Sequence, residues 1–164
     1  MIRIRARRLG EILARSGSAL AAAESCTGGA FSAAVTDIPG SSAYFLGGVV
    51  AYSNASKTRD LGVARALIGS LGAVSEEVAL AMAVGARRRF SAAVGVGITG
   101  IAGPGGGTRE KPVGTVCLGI SAGKVRRSYR RRIPGDRETV RRKTVAWALD
   151  ELLAVLKELN EREG

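Results

Sequence analysis

Two adjacent serines, two tyrosines and a lysine stand in the stretch Pro39 to Lys57, PGSSAYFLGGVVAYSNASK, within a 164-residue chain that has no histidine. A serine that attacks a carbonyl carbon must pass its proton to a base. Without an imidazole, the Ser-His-Asp and Cys-His arrangements are excluded. The base must be a lysine, a tyrosine, a carboxylate or the N-terminal amine. An unperturbed lysine is neutral in only roughly one molecule in 2,500 at pH 7, so burial or a positive neighbour must lower its pKa towards about 7–8. Lys57 follows an apolar run and lies near Tyr52 and Asn54, where such a setting is available. The same spacing fits two serines that finish a turn and a lysine on a helix surface.

Three further segments carry chemistry-bearing residues. In ESCTGG, Glu24 to Gly29, Ser25 or Thr27 caps a helix, or else a hydroxyl and free N–H groups face a phosphate or an oxyanion. In TGIAGPGGG, Thr99 to Gly107, glycines let backbone N–H groups converge on an anion, with Lys111 nearby. That loop has no GK[ST] and precedes a strand, so it is neither a Walker A loop nor a dinucleotide fingerprint. PGDR, Pro134 to Arg137, sets an arginine at the first turn of the last helix, either for phosphate pairing or simply solvated.

The surrounding elements alternate. A basic opening helix buries Leu9, Ile12 and Leu13; SALAAAESCTGG reads as a strand and turn, and AFSAAVTDIPG as a helix stopped at Pro39-Gly40. GGVVAYSN reads as a buried strand, ASKTRDLGV as helix, and VALAMAVGARRRF as a helix capped by Ser75. AAVGVGITG is a strand, PVGTVCLGIS and KVRRSYRRRIP form a hairpin with a basic edge strand, and Asp136 caps a long final helix. The buried stripe of that helix is Val145, Ala148, Leu149, Leu152, Leu156 and Leu159. The fold class is therefore α/β, with a mostly parallel sheet and one domain over residues 1–164. Ligands bind such sheets beyond the carboxyl ends of the strands, where ESCTGG, SNASK and TGIAGPGGG all fall.

Composition limits the partners. Cys26 and Cys117 make no disulfide framework, and a zinc shell would need carboxylates. No apolar run is long enough to span a membrane and no signal peptide is read, so the expected location is cytoplasmic. The net charge of +11 is densest from Lys124 to Lys143. Such a field attracts nucleic acid, an anionic membrane or phosphorylated small molecules, or is a solvated basic face.

Taken in order, AESCTGG, TDIPGSSAYFLGGVVAYSNASK, GAVSEEVA, GITGIAGPGGG, KPVGTV and PGDR resemble the CinA C-terminal domain family over about Ala22 to Leu152. The family includes stand-alone nicotinamide-nucleotide amidases. The resemblance implies a three-layer α/β/α sandwich with a mostly parallel mixed sheet. It also implies a metal- and cofactor-free amidohydrolase that converts nicotinamide mononucleotide to nicotinate mononucleotide and ammonia. The family's Ser/Lys dyad falls on Ser42 and Lys57, and Tyr52 and Ser25 match further active-site positions. The accompanying substrate-binding set is Thr27, Gly28, Asn54, Thr99, Gly100, Gly103, Lys111 and Arg137. The expected partner is a phosphorylated nucleotide, with no nucleic acid and no membrane, in a homo-oligomer, by preference a dimer. The alternatives are an inactive nucleotide-binding or regulatory domain and a basic nucleic-acid-binding protein.

Overall fold

A computed structural model describes residues 1–163. Along the chain lie α1 (Ile2–Ser16), β1 (Leu20–Glu24), α2 (Ala30–Thr36), a single 3-10 turn (Ser41–Ala43) and β2 (Phe45–Val50). Then follow α3 (Asn54–Leu61), α4 (Arg65–Leu71), α5 (Glu76–Arg89), β3 (Val94–Gly100), the β4 (Thr115–Ala122) and β5 (Val125–Arg132) hairpin, and α6 (Arg137–Glu163). The helix stops and starts follow local chemistry. Gly17 ends α1 in the left-handed conformation, its N–H donating to Ala14 O while the Ser18 N–H donates to Leu13 O. The Ser75 hydroxyl accepts from Val78 N, and Glu76 and Glu77 occupy the first turn of α5, where the helix dipole favours them.

The sheet order is β2-β1-β3-β4-β5. β1 runs parallel to both β2 and β3, while β3–β4 and β4–β5 are antiparallel. Four strands thus share one direction and β4 alone is reversed. Helices α1, α2 and α6 cover one face through Leu9, Leu13, Phe31, Val140, Leu149 and Leu152. The other face carries α3, α4 and α5 through Leu61, Ile68, Val78 and Met82. This is the expected three-layer α/β/α arrangement.

Helix α5 lies unusually close to the sheet, and the strand sequences allow it. A Cβ at Gly97 would run into Ala79 O of α5, and one at Gly95 into Ala83 O. Gly119 on β4 makes the same room at Ala79 O. The alternation in VGVGITG is thus one of apolar side chains towards α1 and α6 and bare backbone towards α5.

Two elements differ from the sequence reading. β2 begins at Phe45 and forms an edge, with alternate residues exposed rather than buried throughout. A separate short helix, α4, also stands between α3 and α5.

Candidate active site

β1 connects through α2 to β2 on one side of it, and the chain then crosses the opposite face to β3 on its other side. The carboxyl end of β1 is therefore the switch point of the sheet, where a crevice opens. Ser25 follows β1 there, and its N–H donates to Ile98 O at 2.9 Å, which fixes it between the central strands. Just past β2, the Ser53 hydroxyl accepts from Ser56 N at 3.1 Å and starts α3. Lys57 sits in the first full turn of that helix and points back under the strand ends.

Its surroundings decide the chemistry. Lys57 is 1% exposed. Nζ lies 3.0 Å from Ser25 Oγ, 3.0 Å from Ala51 O and 3.2 Å from Tyr52 O. No salt bridge among the described residues includes it. Burial pushes the Lys57 pKa below its ordinary value. A neutral amine has two N–H groups and one lone pair. The two carbonyls only accept, so they take both N–H groups, and the Ser25 hydroxyl alone of the three partners is able to donate to the lone pair.

Ser42 is not part of this cluster within the chain. It is exposed, in the 3-10 turn at the opposite end of β2. A six-residue strand lies between it and the Lys57 end, which at about 3.3 Å per residue is roughly 20 Å. The serine that the fold brings to Lys57 is Ser25, which the sequence reading placed in a supporting position.

Tyr52 is exposed at the rim, and its hydroxyl accepts from Arg137 Nη2 at 2.9 Å. Arg137 also donates from Nη1 to Gly103 O at 2.9 Å, linking the glycine loop to the end of β2. Asn54 is exposed at the start of α3. Thr27 is buried and its Oγ1 has no hydrogen-bond partner, while Gly28 turns with φ 58° and donates its N–H to Ser25 O. Gly100 leaves room for Cys26, since a Cβ there would lie 3.0 Å from Sγ. Two expected anion ligands have structural partners instead. Thr99 donates its hydroxyl to Ala73 O at 2.9 Å, and Lys111 Nζ binds Leu71 O at the end of α4.

The sequence reading missed Glu24 and Arg141. Neither Ser25 nor Thr27 caps α2; the cap is the buried Glu24 carboxylate, which accepts from Gly29 N, Phe31 N, Ser32 N and Ser32 Oγ. An acid at the end of an otherwise apolar strand, just ahead of a helix, was the available signal. Arg141, one turn after Arg137, donates to Thr27 O at 3.0 Å and braces the same loop. Cys26 adjoins Ser25, but burial pushes its thiol up to about 12, so it remains protonated and a poor nucleophile. Among the described residues, no group of three cysteine, aspartate or glutamate side chains converges to hold a metal. None of the described helices is long and apolar enough to cross a membrane.

Residues 3–156 match the CinA C-terminal domain. The chain belongs to that family. It is 53% identical over 148 residues to a Pseudomonas putida protein named nicotinamide-nucleotide amidohydrolase PncC, covering 90% of this chain and 92% of that one. A CinA-like protein of Mycolicibacterium paratuberculosis is also 53% identical, over 156 residues, but the chain spans only 36% of its length. Among solved structures, the competence/damage inducible protein CihA of Agrobacterium tumefaciens superposes with a TM-score of 0.92 at 42% identity, covering 95% of each chain. A CinA superfamily protein of Klebsiella pneumoniae gives 0.93 at 31% identity, covering 96% of this chain and 99% of that one.

Proposed function

We propose that this chain is a nicotinamide-nucleotide amidohydrolase in which Ser25 is the nucleophile and Lys57 its base. The substrate class comes from the name of the P. putida relative, which matches nearly end to end. The roles rest on one observation: Nζ of a buried lysine lies 3.0 Å from Ser25 Oγ, and its other two partners are carbonyl oxygens. In the reaction, Ser25 Oγ attacks the carboxamide carbon while Lys57 Nζ takes the hydroxyl proton. Collapse of the tetrahedral intermediate returns that proton to the departing nitrogen, which leaves as ammonia. Water, deprotonated by the same Nζ, then attacks the ester; as the bond to Ser25 Oγ breaks, Nζ returns that proton to Oγ, which frees the carboxylic acid and restores the serine and the neutral lysine. The cationic pyridinium of the nucleotide assists by withdrawing electrons from the carbonyl. Arg137 is the phosphate ligand on this reading, because of Thr99, Lys111 and Arg137 it alone contacts the segment that holds Lys57.

The test is ammonia release from nicotinamide mononucleotide by purified protein, with EDTA present. Wild type releases it, while Ser25→Ala and Lys57→Ala each lose on the order of 10³-fold or more in kcat with the fold retained by circular dichroism. A Ser25→Ala protein that keeps most of its activity removes Ser25 as nucleophile. Folded wild-type protein that releases no ammonia removes the amidase reading and leaves a binding role.

A further inference from the structure

Behind the turn that carries Ser25 lies a cavity of about 710 Å³ between α1, α2 and α6. None of Ser25, Lys57, Tyr52 and Arg137 lines it, so it is separate from the amidase crevice. Its volume falls in the roughly 300–1,000 Å³ range of sites for small organic ligands.

The charge around this cavity is one-sided. Arg3, Arg5, Arg141, Arg142 and Lys143 line it against the carboxylates of Asp37 and Glu138. Arg5 pairs with Asp150 at 2.6 Å, which leaves four cations facing two acids. No ion pair among the described residues includes Arg3, Arg142 or Lys143. Cations that line one cavity and pair with nothing in the fold repel one another, and a phosphate among them relieves that repulsion. The floor between the cations is apolar and made of small side chains, Ala30, Ala33 and Ala34 from α2 and Val145 from α6. An inorganic anion gains nothing from such a floor, whereas a planar ring is stabilised by the area it buries there. Phosphate at the cations and a ring on the alanines together describe a nucleotide.

Arg141 ties the cavity to the site. It lines the cavity, and its Nη2 donates to Thr27 O at 3.0 Å, two residues after Ser25. A guanidinium has five N–H donors, and among the described residues Arg141 makes no other hydrogen bond. A phosphate that takes the remaining donors holds Arg141 in its bracing position and steadies the Ser25 turn.

We propose that this cavity is an effector site for a phosphorylated nucleotide, bound through Arg3, Arg142 and Lys143, whose occupancy fixes Arg141 and raises turnover at Ser25. The effect on turnover rests on the amidase reading above; the binding does not.

Calorimetry with ADP as the probe tests the site and finds one ADP bound per wild-type chain. Arg142→Glu, at an exposed position where circular dichroism checks the fold, weakens binding about tenfold or more, while Arg137→Ala binds as the wild type does. Adenosine, without phosphates, and pyrophosphate, without the ring, each bind more weakly than ADP. No binding by the wild type, or equal binding by Arg142→Glu, overturns the site. Loss of binding in Arg137→Ala puts ADP in the amidase crevice and overturns it as well. Pyrophosphate that binds as tightly as ADP overturns the assignment to a nucleotide. In the ammonia assay, ADP raises wild-type release by about fivefold. It leaves Arg142→Glu, whose basal rate is that of the wild type, unchanged. A wild-type rate that ADP does not raise overturns the link through Arg141. A wild type that releases no ammonia removes the amidase reading and the effect on turnover with it, while calorimetry still decides the site.

Discussion

At the scale of single residues, the site depends on a lysine that the fold keeps from water. Burial favours the uncharged amine, so kcat/KM rises with pH through a Lys57 pKa that lies below its ordinary 10.5. Arginine cannot give up its proton in this range, and Lys57→Arg is expected to be inactive across the whole profile. Stability carries the same signature. Because the folded pKa is depressed, the unfolded chain binds more protons between the two pKa values, and this contribution to stability rises with pH until the unfolded value is passed. The wild-type melting temperature minus that of Lys57→Met should therefore increase as pH is raised towards 10.5. A difference that is flat with pH would mean that Lys57 is not desolvated. At the rim, Arg137 donates to Tyr52 Oη and Gly103 O, and under the proposed function it is the phosphate ligand. A charge-assisted hydrogen bond contributes about 2 kcal/mol, so Arg137→Ala should raise KM for nicotinamide mononucleotide by roughly 30-fold. An unchanged KM would place the phosphate elsewhere.

At the scale of elements, the contact between α5 and the sheet is the most constrained. In Gly97→Ala the new methyl would meet Ala83 N at 2.6 Å and Met82 Cβ at 2.9 Å, and neither is a flexible side-chain end. Overpacking of this kind costs about 1–3 kcal/mol, a fall in melting temperature of about 2–12 °C for a chain of this size. Gly105→Ala is the control, since nothing lies within 4 Å of a Cβ there. Equal melting temperatures for the two variants would mean that α5 does not sit where described. The strand VGVGITG was legible from its apolar alternation, but the purpose of its glycines was not, because a close approach between distant segments leaves no local pattern. The long helices were legible from caps and stripes, as with Ser75 and Asp136. α4 was not, since VARALIGSLG carries no cap and is only seven residues long as a helix. Lys57 and Ser25 were both visible as candidates. Their pairing was not, because Ser42 is near Lys57 in sequence and Ser25 is near it only across the parallel β1–β2 pair.

At the scale of the whole molecule, the charge of +11 has a structural use in the hairpin. Part of the arginine-rich strand is bound to α6. Arg127 pairs with Glu158 at 3.1 Å, and Arg131 lies 4.9 Å over the Trp147 ring. Arg126, Arg130 and Arg132 remain exposed along the edge. β5 is the outer strand at one end of the sheet. An unprotected β5 would let the sheet grow by edge-to-edge addition of further copies. The exposed arginines stop it by like-charge repulsion, which salt screens over about 10 Å at 0.1 M. The double variant Arg130→Thr, Arg132→Thr should therefore form concentration-dependent species larger than the wild type by light scattering, while keeping wild-type kcat because neither residue touches the Ser25–Lys57 cluster. Wild type should show the same tendency only at high salt. A double variant that keeps the wild-type mass at all concentrations would leave edge protection without support, and the basic face would then need a partner of opposite charge to explain it.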